Sequence, residues 1–162
     1  MSQFKALPSQ EELHQLFDYS IITGALYWKS DPTRRAGSGS PGCYRQVQKN
    51  GARFYEHRLI YKWVTGEDPE DLFIDHCNGI KDCNGWHNLR LASNSQNQQN
   101  RKGVSGVYWN ELRQKWYSQI KVGGKVRYVG IFKSKQEAVK ARKRAAAQFF
   151  GDYAFGRSHY TN

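Results

Sequence analysis

Three strand-like runs followed at once by a long capped helix constrain the fold more than any other feature of the chain. VSGVYWN (104–110), KWYSQIKV (115–122) and VRYVGIF (126–132) are separated by ELRQ and GGK turns and lead into SKQEAVKARKRAAAQFFG (134–151). Ser134 can cap that helix, and Gly151 stands just past its end. Ala138, Ala141, Ala145 and Phe149 recur at i, i+3, i+7 and i+11 and share the helix face that would lie on a sheet. Side chains alternate across a strand, so if Trp116, Ser118 and Ile120 face the helix, Tyr117, Gln119 and Lys121 face away. The pattern predicts a module of about 60 residues that leaves one sheet face free.

The charge balance says what such a face can meet. The chain has 162 residues with 25 Lys plus Arg against 14 Asp plus Glu, a formal net charge of +11. A basic surface interleaved with aromatics favours a polyanionic partner, because phosphate binding releases counterions. No apolar run approaches the roughly 20 residues needed to span a bilayer, and MSQFKALPSQEEL lacks the apolar core of a secretory signal. Three irregularly spaced cysteines (Cys43, Cys77 and Cys83) form no disulfide framework, so a cytoplasmic protein with reduced thiols is expected.

Upstream, Ser9-Gln10-Glu11-Glu12 has the form of a capping box, and Leu13, Leu16 and Phe17 give a helical stripe to about Asp18. TGALYWK (23–29) reads as a strand and SDPTRRAGSGSPG (30–42) as a loop. CYRQVQ and ARFYEH, joined by KNG, read as a hairpin. HRLIYKWVTGEDP (57–69) has helical spacing at Leu59, Ile60, Trp63 and Val64, with Gly66 placed to end it. LFIDH (72–76) and LRLAS (89–93) read as short strands joined by a polar loop. Ser93 can cap a short helix through about Arg101. The boundary between the two modules is expected near Lys102.

Asp75-His76 ends the first of those short strands. The carboxylate is a hard oxygen ligand suited to Mg²⁺, and a neutral imidazole can take a proton from water. Phosphodiester hydrolysis uses both functions, a metal to hold developing charge and a base to make the nucleophile. The following helix offers Asn94, Asn97 and Asn100 for a second oxygen ligand. A competing zinc reading draws on Cys77, Cys83 and His87, with Cys43. It is weaker, because five residues separate Cys77 from Cys83 and no second Cys pair exists.

Taken in order, Asp75-His76, Asn88-Leu89-Arg90 and Asn97 on a short helix resemble the HNH, or ββα-metal, endonuclease motif. The resemblance is closest to the phage free-standing and homing type and covers about residues 11–101. It implies His76 as general base, Asp75 and Asn97 as ligands of one Mg²⁺ or Mn²⁺ ion, and Asn88 as the central residue that holds the loop. Many members carry a third His where this chain has Asn97, and an amide oxygen suits Mg²⁺ or Mn²⁺ better than a softer ion. Arg58 and Arg90 either contact phosphates flanking the cut or pair with Asp and Glu of the same module.

The C-terminal 103–156 resembles the AP2 DNA-binding domain. That resemblance adds Tyr108, Asn110 and Tyr128 to the outward set, with Arg113 at the turn, and Arg101 and Lys102 complete the expected DNA contacts. Plant-type members carry more Arg and Trp on these strands, so sequence preference does not transfer.

The expected fold class is therefore α+β, with an HNH module at 1–101 (ββα-metal core about 70–101) and an AP2-like module at 102–162. The expected function is a DNA endonuclease that leaves 5′-phosphate and 3′-hydroxyl ends on double-stranded DNA. It would act as a monomer or weak dimer in the cytoplasm, that of the host if phage-encoded. The alternative is a repressor-like DNA-binding protein with a decayed nuclease module.

Overall fold

A computed structural model describes residues 5–99 and 106–154. It is a mixed α and β protein of several small antiparallel sheets and helices. Helix α1 (Gln10–Leu16) starts at Ser9, whose side chain accepts from the Glu12 amide. It stops two residues earlier than the stripe predicts, because Phe17 already belongs to strand β1 (Phe17–Ser20). Strands β2 (Ala25–Trp28) and β3 (Asp31–Arg35) complete a sheet in the order β1-β2-β3. The Asp31–Arg35 segment was expected to be loop. It is held as an edge strand against Tyr27 and Trp28, with a register shift between them.

The expected hairpin forms from β4 (Gln46–Lys49) and β5 (Ala52–Tyr55). Its turn places Asn50 and Gly51 at φ 47° and 72°, the positive values that make Asn-Gly a tight-turn pair. Helix α2 (Glu56–Thr65) follows directly and ends at Gly66, φ 79°. Strands β6 (Phe73–His76) and β7 (Leu89–Ala92) pair with Asp75 opposite Arg90 and His76 opposite Leu89. Helix α3 (Asn94–Gln99) then packs against both. Its start is a reciprocal cap: Ser93 Oγ accepts from the Gln96 amide, and the Ser93 amide donates to Gln96 Oε1.

One apolar cluster joins these pieces. Leu13, Phe17, Leu26, Val47, Leu59, Ile60, Ile74 and Leu89 are all buried in it. Each fully buried side chain of this size contributes about 1.5–3 kcal/mol, so the cluster fixes the platform on which the β6–β7 loop sits.

A second interior lies further along. Strands β8 (Val107–Asn110), β9 (Lys115–Val122) and β10 (Lys125–Phe132) form an antiparallel sheet with β9 central, and helix α4 (Lys135–Phe150) packs on it. Ser134 and Glu137 make a full capping box at the start of α4. Ser118, Ile120 and Ala138 are fully or almost fully buried, as the alternation predicts. One position differs. Phe149 is 44% exposed, with the Arg127 guanidinium 5.5 Å from its ring centroid. The β9–β10 pairing carries a register shift between Tyr128 and Gly130. No helix among the described residues is long and apolar enough to cross a membrane.

Candidate active site

Asp75 and His76 close β6, and both are almost completely buried, at 5% and 4% exposure. The loop that follows is held by Asn88. Its Oδ1 accepts from the Asn78 amide at 3.0 Å, and its Nδ2 donates to Asn78 Oδ1 at 3.0 Å and to the Cys83 carbonyl at 2.7 Å. The Cys77 amide donates to the Asn88 carbonyl at 2.9 Å. One buried side chain therefore stitches both ends of the loop to the strand pair that carries His76.

Two residues not singled out from the sequence control the imidazole. His76 Nε2 lies 2.8 Å from Asn84 Oδ1, and Asn84 Nδ2 donates to Glu56 Oε2 at 3.0 Å. Glu56 has no solvent exposure; its oxygens also accept from the Leu26 amide at 3.2 Å and from Arg35 Nη2 at 3.0 Å. A carboxylate paired with a guanidinium offers acceptors only, so the Asn84 amide must turn its NH₂ to Glu56 and its oxygen to His76. Nε2 is then the protonated ring nitrogen and Nδ1 the one with the lone pair. Burial pushes the His76 pKa below the ordinary imidazole value, and the Asn84 hydrogen bond and the Asp75 charge oppose that shift in part. The ring is neutral at pH 7 with Nδ1 as its basic atom.

The loop around Asn84 is fixed from outside as well. Tyr19 Oη donates to the Asn84 carbonyl at 3.0 Å. Gly24, at φ 64°, approaches so closely that a Cβ there would stand 2.5 Å from the Gly85 nitrogen.

Aromatic rings form a wall beside His76. His57 meets it edge to face at 5.2 Å, and Tyr44 lies 5.8 Å away with the Lys81 ammonium 5.2 Å over its ring. Tyr55 stacks on His57. His57 is 6% exposed, and its pKa falls to about 3, first because of burial and then because of the charges of His76 and Arg58. The unfolded chain takes up a proton near pH 6.5 that the folded chain refuses until about pH 3. Stability present above pH 6.5 is therefore lost on acidification, by as much as about 1.4 kcal/mol per pH unit. Urea titrations at pH 7 and pH 5 should show this slope, and His57→Phe should reduce it to the part that His76 contributes.

Asp75 is gripped by Arg90. Nε donates to Oδ2 at 2.9 Å, and Nη2 lies 2.8 Å from the same oxygen. Of the two readings open for Arg90, phosphate contact or a pair within the module, the structure shows the pair: the side chain is 4% exposed and lies on Asp75. Arg58, open between the same two readings, is also turned inward. At 3% exposure it donates to the carbonyls of Leu72 and Glu70 at 2.8 and 2.7 Å, and so anchors the chain entering β6.

Asn97 is half-buried on α3, the helix packed against β6 and β7. Of its rivals, Asn94 is exposed and its Oδ1 accepts from Gln98 at 3.2 Å, while Asn100 lies outside the described residues. A carboxylate oxygen and an amide oxygen make a hard donor set, which fits Mg²⁺ or Mn²⁺. No group of three or more His, Cys, Asp or Glu side chains capable of holding a metal occurs among the described residues. Cys77 is buried, Cys83 partly buried and Cys43 exposed, all as free thiols.

The sheet face away from α4 carries Tyr108 stacked on Tyr117 at 5.4 Å, and Gln119 opposite Tyr128 in register. Tyr108 is 43% and Tyr128 64% exposed. Lys121 and Arg113 are exposed, and Asn110 Oδ1 caps the turn by accepting from the Arg113 amide. Arg101 and Lys102 lie outside the described residues. A groove of about 750 Å³ is lined by α3 (Gln98, Gln99), by the sheet (Tyr108, Gln119) and by α4 (Arg142, Phe149) among others.

Comparison with known proteins bears on the same segment. Residues 54–99 match the family model of HNH endonucleases. The chain is 28% identical over 90 residues to Protein 3.8 of Escherichia phage T7, covering 49% of this chain and 74% of that protein. It is also 28% identical over 105 residues to an uncharacterized HNH endonuclease of Acanthamoeba polyphaga mimivirus, covering 60% of this chain and 54% of that protein. No solved structure matches. The matched segment contains Glu56, Asp75, His76, Asn84, Asn88 and Asn97, so the similarity supports nuclease chemistry for the site.

Proposed function

We propose that the protein is a metal-dependent DNA endonuclease in which His76 is the general base. The observation that carries this reading is the Glu56–Asn84–His76 chain, which leaves Nδ1 of a neutral, buried imidazole as the proton acceptor. His76 takes the proton of a water that attacks phosphorus in line, and the 3′ oxygen departs to leave 5′-phosphate and 3′-hydroxyl ends. Asp75 and Asn97 would hold one Mg²⁺ or Mn²⁺ ion, which when bound neutralises charge developing on the phosphoryl oxygens. Arg90 orients Asp75, and Asn88 keeps the loop and hence His76 in place. A single centre cuts a single strand, so a monomer nicks. The test is the chemistry of the nick: DNA ligase alone should reseal the product, and a nick that needs prior end repair would refute this assignment.

The reading extends to the sheet β8–β10 as an AP2-like DNA-docking module from about residue 102. Its support is the outward face of Tyr108, Tyr117, Gln119, Lys121 and Tyr128, which combines base-stacking and base-edge hydrogen-bonding groups with positive charge. Tyr108, Gln119 and Lys121 of that face share one groove with Gln98 and Gln99 of α3 and with Arg142 and Phe149 of α4. Lys121→Ala should reduce the slope of log K against log salt by about one unit, and Tyr128→Ala should weaken duplex binding without changing that slope. Binding isotherms at several salt concentrations would show both. RNA outcompeting duplex DNA for the same face would remove the DNA assignment.

A further inference from the structure

The chain beyond α4 returns to the candidate metal centre. Gly151–Tyr153 makes a single 3₁₀ turn that packs against α3 and closes over Arg90. The Asp152 carbonyl accepts from Arg90 Nη1. The Tyr153 ring lies 4.6 Å from the guanidinium carbon, and Tyr153 Oη donates to the Leu91 carbonyl at 3.1 Å. The other edge of the same guanidinium, Nε and Nη2, meets Asp75 Oδ2. Asp75 and Arg90 are already opposed in the β6–β7 register, so the Asp152–Tyr153 turn adds contacts from 62 residues away to a pair the hairpin has brought together.

A guanidinium is planar, and its donors diverge in a fixed fork. When one edge, one nitrogen and one face are all engaged, the plane has one orientation, and the carboxylate on the engaged edge takes its orientation from it. Groups that orient a metal-binding carboxylate commonly matter for affinity as much as some ligands do. The hairpin alone supplies only the strand register; the ring and carbonyl come from Asp152 and Tyr153.

We propose that Asp152 and Tyr153 brace the metal centre: they hold Arg90 so that Asp75 is presented in one orientation, and the centre is complete only with this turn docked. The inference rests on the reading of Asp75 as a metal ligand. Arg90 and Tyr153 are positioning residues and touch no substrate.

Full-length Tyr153→Ala and Tyr153→Phe are compared with wild type and Asp75→Asn in two titrations. One follows the rise in unfolding temperature with Mn²⁺, and the other the Mg²⁺ concentration for half-maximal plasmid nicking. Tyr153→Ala should shift both half-saturation points upward about tenfold, with nicking restored by excess Mg²⁺. Tyr153→Phe keeps the ring against the guanidinium and should fall between Tyr153→Ala and wild type. Should Tyr153→Ala fail to fold, Tyr153→Leu decides on the same titrations, because it fills the space but removes the aromatic face. Unchanged titrations in the Tyr153 variants, with the Mn²⁺ response lost in Asp75→Asn, overturn the brace and leave the ligand assignment standing. A wild-type Mn²⁺ response in Asp75→Asn overturns the ligand assignment itself.

Discussion

His76→Ala should lower the single-turnover rate of DNA nicking by about 10²–10⁴-fold, the usual contribution of a positioned general base. Duplex affinity should stay near that of wild type, because His76 is 4% exposed and the proposed docking face lies on β8–β10. The comparison is best made in gel-purified protein–DNA complexes started with Mg²⁺, so that binding does not enter the rate. Removing the ring leaves Asn84 Oδ1 without its 2.8 Å partner but keeps the Asn84–Glu56 bond, so the loop should survive. Equal rates for the two proteins would mean that the imidazole takes no part in the chemistry. The protein would then be a DNA-binding protein with a decayed nuclease site, or a nuclease with another base.

The second large effect is expected at a residue that touches no substrate. Glu56 is fully buried, and its two oxygens accept from Leu26, Arg35 and Asn84. Glu56→Ala would leave these donors unsatisfied in the interior, at a cost of about 3 kcal/mol, visible as a fall in the urea midpoint. Glu56→Gln is more informative. Its amide can donate to Asn84, which lets the Asn84 amide turn over and present NH₂ to His76 Nε2. That arrangement puts the proton on Nδ1 and removes the base. The fold should persist, with nicking reduced about 10²-fold or more. Rates that track only the loss of folded protein would show that Glu56 is structural and that the tautomer is set by something else.

These two residues mark where the sequence stops being informative. The loop held by Asn88 after Asp75-His76 is legible because the order Asp75-His76, Asn88, Asn97 resembles the HNH motif, which implies a central residue that holds the loop. Helix α4 is legible because Ser134 and Gly151 bound a regular apolar stripe. Glu56 is hidden because it reads as the last residue of a hairpin before a helix. Asn84 is hidden because it is one amide in a loop full of them, and only a contact across 28 residues gives it a role. Acid at the first position of α2, ahead of a buried helix stripe, was the one available hint.

Arg58 and Arg90 are ambiguous for another reason. In a chain of net charge +11, arginines beside a nuclease motif read equally well as phosphate contacts or as partners of acids in the same module. Their burial could not be seen until Leu72, Glu70 and Asp75 closed around them. Strand β3 escaped for a different reason. Asp31 and Pro32 are poor strand residues, and the segment is held extended by its pairing with β2.

The most direct test of the central claim is incubation of supercoiled plasmid with the purified protein in Mg²⁺ and in EDTA. Protein is set at a concentration that shifts the same plasmid in a binding gel. Open-circular DNA accumulating with Mg²⁺ and absent with EDTA is the predicted result. Plasmid that stays supercoiled in Mg²⁺ although bound, or is nicked equally in EDTA, would contradict a metal-dependent nuclease built on Asp75, His76 and Asn97.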